Sequence, residues 1–245
     1  MTGYRARIGF LIPPGNPTTE PEVTRMTPPG VSVHFTRMVA HGETGSLEGQ
    51  EERNRTQLAH LDENIALLAM VKPAVIVMAH TASSYTLGRD GERALVERIE
   101  RDTGIRFITA FGSVIAALDA LGARRIAFGT PYGEAATQQC KASLESYGIA
   151  VARFGRLQGV KNIYDETPAR AYRLARDVDA ADAQAVFLSG VGMPTIAVID
   201  VAERDLGKPV VSSIAASMWN ALRLAGVSAP IDGFGSLLAQ RGARQ

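Results

Sequence analysis

The second half of this chain repeats the first, and that repeat limits what it can fold into more than any single motif. Ile8-Gly9-Phe10, followed by Pro13 and Gly15, returns 118 positions later as Ile126-Ala127-Phe128, followed by Pro131 and Gly133. Gly30-Val31-Ser32-Val33 matches Gly148-Ile149-Ala150-Val151 at the same shift. The run Val75 to His80 matches Ala185 to Gly190 at a shift of 110, and Phe107-Ile108-Thr109 matches Val210-Val211-Ser212 at 103. The matches keep their order and the shift changes only by loop-sized steps, which points to duplication. A duplicated chain of this length predicts two similar halves with a ligand cleft between them. The one mismatch with chemical content is His80 against Gly190, at the ends of equivalent strands.

Short β-branched or apolar runs bounded by Gly, Pro or Asp predict strands over 7–12, 31–38, 74–79, 107–109, 125–129, 150–157, 185–189 and 210–212. Helical periodicity predicts helices over 50–70, 91–102, 113–121, 135–147, 167–178, 194–206 and 213–224. Strands alternating with helices give an α/β class: two pseudo-symmetric halves, each a mainly parallel sheet flanked by helices. Residues 113–213 are expected to form the second half. Residues 1–112 with 214–245 are expected to form the first, because 107–121 and 210–224 are equivalent crossover segments. Segment 37–49, rich in Gly and polar residues, is the candidate mobile loop near the cleft.

Composition narrows the function classes. With 26 basic and 25 acidic residues the net charge is +1, and the charges are scattered, so neither nucleic acid nor a membrane surface is expected as partner. The longest apolar stretch, 65–71, stops at Lys72-Pro73, too short to span a bilayer. A single cysteine excludes an internal disulfide framework, and with no apolar leader at the start the expected location is the cytoplasm. The chain shows no Gly-x-Gly-x-x-Gly after its first strand, no Walker-type loop and no Gly-x-Ser-x-Gly elbow. No cofactor is expected. His34, His41 and His60 lack metal-ligand spacing, so no metal site is expected either.

Ligands of open α/β sheets gather at the carboxyl ends of strands, and here each such end carries small or polar residues. They are Pro13 to Glu20, His80 to Tyr85, Thr130 to Gly133 and Gly190 to Thr195. Helices that follow such loops aim free N–H groups at the cleft and favour an anion. Thr18 or Thr19 is suited to cap one helix, and Pro194 to open another. The hydroxyls of Thr81, Ser83 and Ser84 add donors for one carboxylate. His80, projecting from a strand end, is the candidate general acid/base. Cys140 lies within a helical pattern away from any strand end and reads as a packing residue.

Asn16, Thr130-Pro131-Tyr132 and Gly190-Val191-Gly192-Met193-Pro194, set in duplicated α/β halves, resemble the aspartate/glutamate racemase superfamily over nearly the whole chain. Within it the chain is most similar to the branch of maleate cis–trans isomerase and arylmalonate decarboxylase. The resemblance implies two facing cysteines; their positions fall at His80 and Gly190, so both are replaced. It implies that Asn16, Tyr132 and Asn162 hold a substrate carboxylate, and that Thr81 is an oxyanion donor with Ala82 where a serine would stand beside it.

The resulting expectation is a cofactor-independent enzyme of isomerase or lyase type on a small carboxylate or dicarboxylate. His80 and Tyr132 are its catalytic candidates. Asn16, Thr81, Ser83, Ser84, Tyr132, Asn162, Gly190 and Val191 line its substrate site. Two alternatives stay open: a hydrolase in which His80 activates water against an amide or lactam, and a catalytically dead carboxylate binder. Assembly as a homo-oligomer is also left open.

Overall fold

The computed structural model describes residues 2–41 and 45–240. Two four-stranded parallel sheets form its frame. β1 (Ala6–Ile12), β2 (Val31–Arg37), β3 (Val75–Met78) and β4 (Arg106–Thr109) run in the order β2-β1-β3-β4. β5 (Arg125–Thr130), β6 (Ala150–Arg156), β7 (Ala185–Leu188) and β8 (Val210–Ser212) run in the order β6-β5-β7-β8. The sequence repeat recurs in the register: Ile8 pairs with Val33 and Val75, and its equivalent Ile126 pairs with Val151 and Ala185. Val77 pairs with Ile108 as Phe187 pairs with Val211. The α/β class with two parallel sheets is thus as the sequence predicts.

The helices are α1 (Thr19–Arg25), α2 (Gln50–Ala59), α3 (Leu61–Ala69), α4 (Thr81–Thr103), α5 (Ala110–Ala120), α6 (Glu134–Ser146), α7 (Pro168–Val178), α8 (Ile199–Leu206), α9 (Ser213–Leu224) and α10 (Ser236–Ala239). Three expectations need correction. The helix over 50–70 is two helices, because His60 leaves helical geometry at φ −101°, ψ 13°. Pro194 does not open a helix; 194–198 is irregular and α8 starts at Ile199. The helix placed at 91–102 begins ten residues earlier, at Thr81, and is interrupted only at Gly88, whose φ of 67° and ψ of 172° break the spiral. Of the expected mobile loop over 37–49, residues 42–44 lie outside the described residues.

One apolar core joins Ile8, Phe10, Val75 and Val77 of the first sheet to Val186 and Leu188 of the second, with Ile214 and Met218 of α9 between. α5 and α9 are equivalent crossover helices with equivalent caps: Thr109 Oγ1 accepts from Gly112 N, and Ser212 Oγ accepts from Ala215 N. They pack on each other, joined by Asn220 Nδ2 donating to Ser113 Oγ at 3.2 Å. α9 also reaches β3, β4 and α1 in the first half. Both sheets therefore turn their carboxyl ends to one shared cleft. No helix among the described residues is long and apolar enough to cross a membrane.

Candidate active site

After β1 the chain turns through Asn16, whose Oδ1 accepts the N–H groups of Thr18 (2.8 Å) and Thr19 (3.0 Å). Its Nδ2 donates to Thr19 Oγ1 at 3.0 Å, and Thr19 Oγ1 in turn donates to Val191 O, at 3.1 Å, in the other half. Asn16 and Thr19 are fully buried. Gly192 lies against this cluster: a Cβ on it would stand 2.7 Å from the ring of Tyr164 and 3.8 Å from Asn16 Nδ2. The strand-end loops of β1 and β7 thus meet across the cleft, with Asn16, Val191 and Tyr164 at the contact.

After β3 comes His80, extended at φ −145°, with α4 starting at the next residue. Its ring is buried, and Nδ1 lies 2.7 Å from Ser83 Oγ. Burial, and then the positive charge of Arg53, push its pKa down to about 4, so the imidazole is neutral at neutral pH. Ser83 engages Nδ1 and leaves Nε2 as the nitrogen for a ligand. Ser84 Oγ, in the opening turn of α4, is buried and makes no hydrogen bond, while the buried Thr81 hydroxyl faces the Tyr132 phenol. A buried hydroxyl without a partner is costly unless a ligand completes it.

On the opposite side, Gly190 has a φ of +101°, and its N–H donates to Ser213 Oγ at 3.1 Å. A Cβ there would meet Pro131 Cγ at 3.1 Å and the Tyr132 hydroxyl at 3.2 Å. The phenol of Tyr132 therefore occupies the space beside Gly190 that a side chain would need. Burial raises the Tyr132 pKa, with Tyr164 and Cys140 adding to the rise while Ser189 and Thr81 pull the other way. It stays protonated, as a donor and not a base. Tyr85 from α4 bonds Ser189 Oγ at 2.8 Å and closes this cluster.

Asn162 is half-buried, and its Oδ1 accepts from Tyr164 N at 2.9 Å, opening a single 3-10 turn over Ile163–Asp165. It bridges to Ser46, and Ile163 N donates to Gly45 O at 2.9 Å, so the two loops close over the cleft together. Under them lies a cavity of about 20 Å³ lined by His80, Arg53, Asn54, Gln57, Tyr164 and Pro13 among others. That is room for about one water. Gln50 and Asn54 separate it from an outer groove of about 360 Å³ that also reaches Ala82, Gly133 and Glu134. Asn54 latches α2 to α4 by donating to Thr86 Oγ1 at 3.1 Å.

The structure brings together His80 with Ser83, Tyr132 with Gly190, and Asn16 with Val191 in three buried clusters; of the expected site residues His80 alone lines the small cavity, and Asn162 sits in the loop layer above. Among the described residues no group of three His, Cys, Asp or Glu side chains could hold a metal ion. Over residues 8–238 the sequence matches the arylmalonate decarboxylase family. The chain belongs to that family. Arylmalonate decarboxylase of Bordetella bronchiseptica is 34% identical over 67% of this chain and 70% of its own. Maleate isomerase of Nocardia farcinica (strain IFM 10152) is 27% identical over 96% of both chains. A solved structure of a Nocardia farcinica maleate cis-trans isomerase mutant, with a covalently bound succinylcysteine intermediate, superposes with a TM-score of 0.86 at 25% identity, covering 96% of this chain and 98% of that one.

This member of the arylmalonate decarboxylase family has one cysteine, and it cannot take the part of the cysteine in that intermediate. Cys140 is buried within α6, burial pushes its pKa up to about 12, and it lines neither cavity. Sequence reasoning missed Arg53, Asn54 and Gln57. With Gln50 they stand at helical spacing i, i+3, i+4, i+7, in line with the buried Leu61, Ile65 and Leu68. Polar residues on the buried stripe of an otherwise ordinary helix were the available signal. Tyr164, in one short turn, left none.

Proposed function

We propose that this chain is a cofactor-independent enzyme of isomerase or lyase type that moves a proton beside a small carboxylate or dicarboxylate, with His80 as its acid/base. The observation that carries the reading is the imidazole itself. It is neutral at neutral pH, buried at a strand end in the cleft, and held through Nδ1 by a hydroxyl. With Nδ1–H donating to Ser83 Oγ, Nε2 is free to accept a proton from the substrate. The imidazolium so formed keeps its Nδ1–H on Ser83 and returns the proton from Nε2, as a step through an enolate-like intermediate requires.

The donors around it suit a carboxylate. Ser84 offers an unpartnered hydroxyl, Thr81 a hydroxyl beside the Tyr132 phenol, Tyr132 that phenol kept protonated by burial, and Asn16 an amide anchored at its oxygen. Asn162, Gly190 and Val191 complete the set we assign to substrate, Gly190 by leaving space and Val191 by closing the cleft. The names of the relatives, maleate isomerase and arylmalonate decarboxylase, supply the substrate class by likeness. Gly190 offers no second proton carrier, so a one-base course is favoured over two-base racemisation.

The test is to incubate the protein in deuterated water with maleate, malonate, an arylmalonate and their monocarboxylate counterparts, reading products by NMR. Isomerisation, decarboxylation or deuterium uptake is expected with at least one of them. His80→Gln should lower that rate by about a hundredfold or more. An unchanged rate in His80→Gln would remove His80 from the mechanism.

A further inference from the structure

Glu22, on α1, is buried, yet it is a carboxylate on a helix of the first half that holds backbone of the second half. Its Oε1 accepts the N–H groups of Thr195 at 2.7 Å and Ile196 at 3.0 Å. One residue upstream is Pro194, which has no N–H to offer. The irregular segment 190–198 has two backbone bonds of its own, Met193 N to Gly190 O and Val198 N to Thr195 O. Its other anchors are Gly190 N on Ser213, Thr19 Oγ1 on Val191 O, and Glu22. Since Asn16 accepts the N–H groups of Thr18 and Thr19 at the start of α1, Glu22 and Thr19 tie the Gly190 loop to the same short helix that fixes Asn16.

Keeping a carboxylate here is costly. Burial raises its pKa to about 7 against the pull of the Ile196 and Thr195 N–H groups, Arg25 and the Thr195 hydroxyl. A neutral glutamine has the same reach and one carbonyl acceptor, without the burial cost. What the carboxylate adds is the stronger, charge-assisted grip on two N–H groups at one point.

We infer that Glu22 is a positioning residue: it sets where the 190–198 loop stands relative to Asn16, and with it the width of the cleft that receives the substrate carboxylate. The inference rests on the carboxylate-site reading above. It separates cleft geometry from stability, because the group that places the loop lowers stability while doing so.

The experiment compares the parent with Glu22→Gln and Glu22→Ala at pH 8, in three measurements: melting temperature, malonate and maleate affinity by calorimetry, and hydrogen exchange over 190–198. Glu22→Gln should melt at the same or a higher temperature, exchange faster at Thr195 and Ile196, and bind the probe about tenfold more weakly. Opposite movement of stability and affinity is what a merely structural residue would not produce. Unchanged affinity and exchange in Glu22→Gln would overturn the inference, and so would a parallel loss of stability and affinity. Glu22→Ala, which removes both acceptors, should show the larger exchange effect; protection at Thr195 and Ile196 equal to the parent would overturn the inference by itself. If the parent binds neither probe, the carboxylate reading fails, and the inferred role at that site falls with it, whatever the exchange shows.

Discussion

His80 and Glu22 titrate in opposite senses, which makes a sharp test of the site without a known substrate. His80 has a folded pKa of about 4 against 6.5 when exposed, so between those values the folded chain binds fewer protons than the unfolded one. Its stability contribution is complete above pH 6.5 and is lost as pH falls through the window. Glu22 has a folded pKa of about 7 against 4.5, so the folded chain binds more protons. Its contribution is complete below pH 4.5 and is lost as pH rises through 7. From pH 7 to pH 5, neutral burial of His80 costs about 2 kcal/mol of stability, and protonation of Glu22 returns about 2 kcal/mol. The parent should therefore show almost no slope from this pair. His80→Gln should expose the Glu22 slope, becoming about 2 kcal/mol more stable at pH 5 relative to the parent than at pH 7. Glu22→Gln should do the reverse, and the double variant should be flat again. Urea denaturation of the four proteins at pH 5, 6, 7 and 8 gives the comparison, with all other titrating groups shared and cancelling. Parallel pH profiles for parent and His80→Gln would refute the burial of a neutral His80.

Further outcomes follow from individual contacts. Tyr132→Phe removes a buried donor and should weaken carboxylate binding by about 1–3 kcal/mol, read by calorimetry, with little change in fold. Gly190→Cys should destabilise the chain by roughly 1–3 kcal/mol, measured by thermal melting, because φ is +101° and the new Cβ meets Pro131 and Tyr132. Ser83→Ala should free the His80 ring, giving an altered imidazole 15N signal and a lower rate with unchanged substrate affinity. Cys140→Ala should leave turnover intact, since the thiol touches neither cavity; a hundredfold loss would return it to the mechanism.

All eight strands were legible because each holds a short β-branched or apolar run, and the repeat showed which strands are equivalent. Helix boundaries were less so. The break at His60 has no glycine or proline to announce it, and it follows from α2 and α3 facing different neighbours, α4 for the first and β1 with β2 for the second. Gly91 read as the start of a helix, whereas the chain tolerates one non-helical residue at Gly88 and carries α4 back to Thr81. Pro194 looked like a helix start; Glu22, a residue 172 positions away, instead draws the backbone of Thr195 and Ile196 into an irregular path. Such long-range hydrogen bonds leave no local pattern to read. In the site, His80 and Gly190 stood out through the repeat and Tyr132 through the family resemblance, but Tyr164 and the polar stripe of α2 come from segments that neither marks.

The two halves share strand order, and share register except past the β5–β6 bulge at Ile126/Ala127; they differ at the strand ends after β3 and β7. The difference is not confined to one side chain. After β3 a helix starts at once, so an imidazole, the hydroxyls of Thr81 and Ser84 and the opening turn of α4 gather at one wall. After β7 no helix starts until Ile199, and the backbone at Gly190 takes a conformation that admits side chains poorly, with the Tyr132 phenol already beside it. Placing a cysteine at Gly190 would therefore not by itself rebuild a symmetric pair of proton carriers. On the proposed mechanism a proton is taken and returned on the His80 wall alone, while the Gly190 wall shapes and holds. A prochiral substrate turned over in deuterated water should then carry its label at one face, giving a single enantiomer by chiral chromatography. A racemic labelled product would mean that a second proton carrier acts from the opposite wall.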